Sequence, residues 1–422
     1  MPIIASLLDL DIYKLYMQQL QFHRFLSVPV TFAFTNRTKR IALPNFIRIE
    51  ELRDELDHAQ TLRAKEEEIA FLRESTHIPR GRFKEDYLAF FKNYRLPGYN
   101  LERYNNTFIL ETEGPWPQVT LWETIQLRIL TALYNKGVRQ KEGYDPDEFY
   151  AEGERIIREK GRRLRQYPGI TIVDFATRRS DSPWWHRREV EILLDELGKQ
   201  LIGTSNVLFA MELGLKPVGT MAHELAMGFS GIFHSSDEEI RNSHDRVFQC
   251  WEQEYSTDLW IALTDTYHSD YFFTHNFTEE RARAWRGTRQ DSGNPIVYGE
   301  KQIAAYNRYG IDGSEKVCVF SDGLDPEKII DIHTHFGGIK DKIARRRLLD
   351  TYGWGTNAAN DFGLFSAIYP PPSMVVKLVK SCGYGTVKLS DNLAKAIGDP
   401  EHVERFKQIF GYTGSRYEEC TY

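Results

Sequence analysis

Between residues 168 and 356 the chain repeats one unit, a short apolar run that ends in small or polar residues followed by a stretch with helical periodicity. Seven runs carry the pattern: ITIVDFATRR (170–179), LIGTSN (201–206), KPVGTMAHE (216–224), WIALTDT (260–266), RAWRGTRQDSG (283–293), KVCVFSDG (316–323) and DTYGWGT (350–356). Between them the spacing predicts helices over Arg188–Leu197, Val207–Leu213, Asp237–Glu252, Val297–Tyr309 and Asp325–Phe336. Strands that alternate with helices imply a parallel sheet, because parallel neighbours need a crossover long enough to hold a helix. Seven consecutive units with no halfway reversal favour an α/β fold of the irregular TIM-like (β/α) barrel type, with about seven strands, over an open doubly wound sheet. Barrel strands end on one face, which carries the active site. The polar endings are therefore expected to converge on one pocket.

The flanks have a different texture. Asp9 to His23 has helical spacing, Val28–Asn36 alternates like a strand, and charged helical stretches follow around 45–57, 64–75 and 83–94. Thr107–Glu113 is a predicted strand and Leu121–Lys136 a long amphipathic helix. After residue 370 the pattern returns to strands without long helices, in MVVKLVKSCG (374–383) and YGTVKLSDN (384–392). The expected division is an α+β domain of residues 1–135, completed by 370–422 folding back onto it, and a barrel of residues 136–369.

A net charge of −6 argues against a nucleic-acid partner, whose binding needs a basic surface. No window has the apolar length that crosses a bilayer, so no membrane association is expected. The first residues, MPIIASLLDLDIYKLYMQQ, place acidic groups inside the apolar stretch and lack a basic leader, unlike a signal peptide. Cys250, Cys318, Cys382 and Cys420 lie far apart, which suits reduced thiols in a cytoplasmic protein better than a zinc cassette or a disulfide framework.

Several run endings suit phosphate. FSDG (320–323), YGWGT (352–356) and GTSN (203–206) put glycine or a small hydroxyl, Thr356 among them, where backbone N–H groups can approach an anion. Arg178, Arg179 and Arg289 add guanidinium forks, while Asp265, Asp291 and Asp322 suit ribose hydroxyls or a Mg²⁺ ion carried by a diphosphate. His223 follows the third run, with Glu224 and Asp265 as candidate orienting carboxylates. An imidazole nitrogen so oriented can accept a phosphoryl group. The HxH of DIHTH (331–335) matches the opening of an amidohydrolase metal site, but it falls within a predicted helix rather than at a strand end. His333 and His335 are therefore expected to be ordinary helix positions, and no metal ligand set is assigned.

In order, the segments SLLDLDIYKLYM (6–17), FTNRT (34–38), DFATRR (174–179), GTSNVLFA (203–210), KPVGTMAHE (216–224), ALTDT (262–266), RQDSGNP (289–295), FSDGLD (320–325), GWGTNAANDF (353–362) and VKLSDNLAK (387–395) resemble the nicotinate phosphoribosyltransferases, a type II phosphoribosyltransferase family. The resemblance implies transfer of phosphoribosyl from phosphoribosyl pyrophosphate to nicotinate in NAD salvage, giving nicotinate mononucleotide and pyrophosphate, with Mg²⁺ and with ATP hydrolysed as co-substrate. It makes His223 the phosphorylated histidine, supported by Asp265, and makes Phe175 and Tyr13 the aromatic pair around the pyridine ring. The tyrosine is expected from the second subunit of a homodimer with shared active sites. Arg178 is implied near the phosphate and the base, Arg289 and Asp291 at the phosphates and ribose, and Asp322, Gly353 and Gly355 at the ribose and 5′-phosphate.

The related nicotinamide enzyme carries an aspartate where this chain has Ser205. A hydroxyl can donate to a carboxylate that an aspartate would repel, so Ser205 favours nicotinate. Transfer onto nicotinamide is the nearest alternative; a barrel kept only for binding is another, against which the retention of His223, Arg178, Arg289 and Asp291 weighs. The chain departs from the family at Ala176 and Ala394, where glycine is usual, at Asn294, where aspartate is usual, and in SDSPWWHRRE (180–189).

Overall fold

Six of the seven runs form the strands of one parallel sheet in the computed structural model, which describes residues 2–337, 347–367, 369–412, 414 and 418. In chain order the strands are β1 (Pro29–Asn36), β2 (Asn100–Tyr104), β3 (Thr107–Pro115), β4 (Ile172–Asp174), β5 (Leu201–Thr204), β6 (Ile261–Leu263), β7 (Gly287–Gln290), β8 (Val317–Phe320), β9 (Leu349–Trp354), β10 (Met374–Ser381) and β11 (Tyr384–Gly385). The parallel sheet runs β5-β4-β9-β8-β7-β6. Its first strand in sequence, β4, pairs with its last, β9, Ile172 lying beside Tyr352 and Asp174 beside Trp354. That return of the last strand to the first is the connectivity of a barrel.

The third run is the exception. Pro217 makes a single parallel bridge to Thr204, framed by Thr204 N–H donating to Lys216 O (3.1 Å) and Val218 N–H donating to Thr204 O (2.8 Å). The segment holds a strand's place beside β5 without a strand's length, since a proline has no N–H to extend the ladder. Among the described residues no pairing joins it to β6, and the ring is open along that seam.

The second sheet is antiparallel, in the order β11-β10-β1-β3-β2. β10 pairs along β1, with Phe34 opposite Val376, so both ends of the chain build one sheet. Two tail expectations are corrected. The run 384–392 is a strand only over Tyr384–Gly385, because beyond it the chain leaves the sheet edge for the barrel mouth. The tail also holds a helix, Pro400–Ile409, capped by Asp399, whose side chain accepts from Glu401 N–H at 3.0 Å.

The helix Pro146–Arg165, absent from the sequence-based assignment, starts at an Asp145 cap and packs on the helix Pro183–Leu197. The contact is close enough that a Cβ on Gly161 would stand 2.8 Å from Glu196 Cβ. His333 and His335 lie on the helix Pro326–Phe336, one buried on Asp350 and the other exposed on Glu300, which separates them as potential ligands. Cys250, Cys318 and Cys382 are free thiols; Cys420 lies outside the described residues. Among the described residues, no helix is long and apolar enough to cross a membrane.

Candidate active site

The strand ends open into a cavity of about 400 Å³. β4 leads into Phe175 and Arg178, β5 into Ser205, and the 216–218 segment into His223. Arg289 lies in β7 with Asp291 just beyond it, Asp322 follows β8, and β9 supplies Gly353 with Gly355 and Thr356 after it. All of these line the cavity, as does Tyr13 from the first turn of the helix Ile12–Arg24. Asp265 does not reach the wall. It is buried behind His223, its Oδ1 3.8 Å from the imidazole Nε2.

Two glycines shape the aromatic part. A Cβ on Gly353 would stand 2.3 Å from Phe175 Cδ2, so the phenyl ring lies directly on the β9 backbone. A Cβ on Gly219 would stand 3.2 Å from Tyr13 N and 2.9 Å from Ile12 Cγ2, and its absence lets the N-terminal helix close on the barrel mouth. Arg178 sits over the Tyr13 ring at 5.6 Å. Phe175 and Tyr13 thus line one cavity of a single chain.

His223 opens the helix His223–Ile232. Its Nε2 lies 2.9 Å from Asp291 Oδ2 and its Nδ1 3.0 Å from Thr266 Oγ1. A carboxylate can only accept, so Nε2 carries the proton and Nδ1 accepts from the threonine hydroxyl. Burial, helped by the Lys388 ammonium, lowers the imidazole pKa to about 4 against the opposing pull of Asp265 and Asp291. The ring is therefore neutral at physiological pH, with a lone pair on Nδ1. Glu224, a candidate orienting group, turns away: it accepts from Trp116 Nε1 (2.6 Å), Thr120 Oγ1 (2.6 Å) and Gln21 Nε2 (2.9 Å) and pairs with Lys14. The orienting carboxylate in direct contact is Asp291. A step that needs neutral His223 should lose rate only as pH falls toward about 4. A limb of that step near 6.5 in rapid-quench pH profiles would contradict this environment.

Cations from outside the strand endings complete the wall. Lys377 comes from β10, and Lys388 and Lys395 from the tail beyond β11. Lys395 Nζ donates to Asp322 Oδ1 (2.5 Å) and to Asp291 O (2.9 Å). Lys388 lies 3.8 Å from Asp265, and burial lowers its pKa to about 8. Arg37 and Lys328 also line the cavity. Strand-end reasoning could not find these groups, although Arg37, Lys388 and Lys395 all fall in the segments FTNRT and VKLSDNLAK. A wall with this many cations suits a polyanion.

The nicotinate phosphoribosyltransferase (NAPRTase) family model matches residues 170–414, and the model of the family's N-terminal domain matches residues 8–131. The chain belongs to the nicotinate phosphoribosyltransferase family. Crystal structures of similar proteins extend the match to nearly the whole chain. Nicotinate phosphoribosyltransferase from Vibrio cholerae is 29% identical, with a TM-score of 0.86 over 97% of this chain and 94% of its own. A putative nicotinate phosphoribosyltransferase from Saccharomyces cerevisiae is 30% identical, with a TM-score of 0.84 over 98% and 99%. The enzyme from Porphyromonas gingivalis is 28% identical, with a TM-score of 0.83 over 97% and 100%.

At the departures from the nicotinate phosphoribosyltransferase pattern the chain makes local contacts, and those of Ala176 and Ala394, made by the backbone, do not explain alanine in place of glycine. Asn294 caps the helix Pro295–Asn307, accepting from Ile296 N–H at 2.9 Å and Val297 N–H at 3.1 Å, a task asparagine and aspartate do about equally well. In 180–189, Ser182 caps the helix Pro183–Leu197. Ala176 N–H donates to Asp174 Oδ1 (2.8 Å), and Ala394 N–H to Asn392 Oδ1 (3.1 Å) in the turn that carries Lys395.

Proposed function

We propose that this protein transfers phosphoribosyl from phosphoribosyl pyrophosphate to nicotinate, coupled to ATP hydrolysis through phosphorylated His223, in NAD salvage. The observation that carries the proposal is the joining, in one cavity, of the aromatic rings of Phe175 and Tyr13 with a wall of cations beside neutral His223. A flat ring binds well between aromatic faces, and the sugar diphosphate needs the cations.

The nicotinate ring nitrogen bonds to C1 of the ribose as the bond from C1 to pyrophosphate breaks. Positive charge builds on the ribose in between, as in glycoside cleavage. Asp291 and Asp322 face that charge, while Arg289, Lys388 and Lys395 neutralise the leaving group. Gly355 and Thr356 offer backbone N–H groups to the 5′-phosphate, with Arg178 near the phosphate and base. The carboxylates of Asp291 and Asp265, grouped beside His223, suit a hard, oxygen-seeking cation, and bound Mg²⁺ would supply further neutralisation of the diphosphate. In the coupled step, His223 Nδ1 bonds to the terminal phosphorus of ATP as the bond to ADP breaks. Asp291 and, behind it, Asp265 stabilise the charge that develops on the ring. Added phosphate charge beside the lysines then tightens the site. The division into 1–135 with 370–422, and 136–369, belongs to the same proposal. The homodimer with shared active sites belongs to it as well.

Incubation with nicotinate, phosphoribosyl pyrophosphate and Mg²⁺, with and without ATP, tests the reading through nicotinate mononucleotide and acid-labile protein phosphate. His223→Ala is expected to keep slow transfer and lose ATP stimulation. Full stimulation in that variant would remove the histidine mechanism, whereas absence of product from the wild type would remove the transferase assignment.

A further inference from the structure

The cavity wall beside the aromatic slot carries a carboxylate that no strand end supplies. Asp11 precedes the helix Ile12–Arg24, yet its side chain accepts no hydrogen bond from that helix's first turn. It is turned toward the barrel, where Ser205 Oγ donates to Oδ1 at 2.6 Å and Arg178 Nε lies 3.0 Å from Oδ2. The backbone fixes it there: Ile12 N–H donates to Ser205 O at 2.8 Å, and Asp11 bridges to Asn206. The Asp11 side chain is only 2% exposed, yet Oδ2 has no aligned hydrogen-bond donor.

This arrangement changes what Ser205 can do. A serine has one hydroxyl proton, and here it is donated to Asp11, so it is not offered to a ligand carboxylate. Left to itself, Asp11 would repel a carboxylate on the ring and welcome an amide, whose NH₂ would supply the donor that Oδ2 lacks. Arg178 works in the opposite sense, since its guanidinium attracts a carboxylate. Resting on the nicotinate reading, we propose that Asp11 is a specificity-determining residue for acid against amide pyridines, held in check by Ser205 and Arg178. With both groups on Asp11, the wall presents the arginine's charge and admits the acid. When the serine bond is lost, the freed carboxylate oxygens accept an amide.

Wild type, Asp11→Asn, Ser205→Ala and the double variant are compared for binding of nicotinate and of nicotinamide by titration calorimetry, and for kcat/KM with each base and phosphoribosyl pyrophosphate. Ser205→Ala is expected to move the nicotinate-to-nicotinamide ratio about tenfold toward the amide, and Asp11→Asn about tenfold toward the acid, the size of one charge-assisted hydrogen bond. The double variant should match Asp11→Asn, because the serine acts through the aspartate. An undiminished serine effect in the Asp11→Asn background, or an unchanged ratio in Asp11→Asn itself, overturns the proposal while a nicotinate-preferring wild type keeps the underlying function. A wild type that binds neither base removes both. Asparagine is nearly isosteric and keeps an oxygen for Ser205, and thermal melts confirm that each variant is folded.

Discussion

Replacing Gly353 by alanine is expected to raise the KM for nicotinate about a hundredfold while leaving the barrel folded. The new Cβ would stand 2.3 Å from Phe175 Cδ2 and 2.4 Å from Cε2, well inside van der Waals contact. What gives way is a side chain, not backbone, so the strain is relieved by swinging the ring. The pairing of Gly353 with Val173 across β9 and β4 need not break. Phe175 is only half-buried, and the space open to its ring is the cavity itself. The displaced ring would occupy the slot proposed for the pyridine. Steady-state kinetics against nicotinate, with a thermal melt as control, decides the matter. An unchanged KM would mean that the ring on Gly353 is no part of the base site.

The same strand shows why the barrel was legible in the sequence. A parallel strand buried on both faces reads as a short apolar run, and its C-terminal end reads as the polar residues that follow. LIGTSN, for example, becomes β5 and the turn behind it, and the predicted helix Val207–Leu213 has the bounds seen. The third run kept its functional ending and lost its strand, because Pro217 cannot support a ladder. The helix Pro146–Arg165 was announced by Asp145 and Pro146, a cap followed by a proline in the first turn, a signal that strand-centred reading passed over.

The site was legible where it came from the barrel and illegible where it came from elsewhere. Lys388 and Lys395 sit in a tail whose alternation suggested a strand, and only the three-dimensional path takes them to Asp265 and Asp322. Partnership was equally hidden. Adjacency suggested that Glu224 orients His223, yet a helical neighbour projects about 100° away, and the carboxylate on the imidazole is that of Asp291, just beyond β7. Ser205 lines the cavity, but the destination of its proton depends on Asp11, 194 residues earlier.

Glu224→Ala is expected to cost about 3–5 kcal/mol of stability, the usual consequence of removing one partner from a buried ion pair. Lys14, fully buried, pairs with Glu224 and Glu123, and Lys377 also pairs with Glu123. Without Glu224, one carboxylate would face both ammonium groups, and Trp116, Thr120 and Gln21 would lose the acceptor of their hydrogen bonds. Unfilled buried donors add to the loss. Glu224→Gln keeps an oxygen for those donors and should lose less, which separates the hydrogen-bond contribution from the charge. Denaturant midpoints of the three proteins measure both, and an alanine variant within about 1 kcal/mol of wild type would contradict the assignment. The position of the pair gives the loss a functional edge. Lys14 follows Tyr13 and Glu224 follows His223, so one buried ion pair ties the aromatic slot to the histidine. On the proposed phosphohistidine mechanism, charge added at His223 would reach the slot through that tie, and the glutamine variant is then expected to bind nicotinate equally well with and without ATP while still catalysing basal transfer.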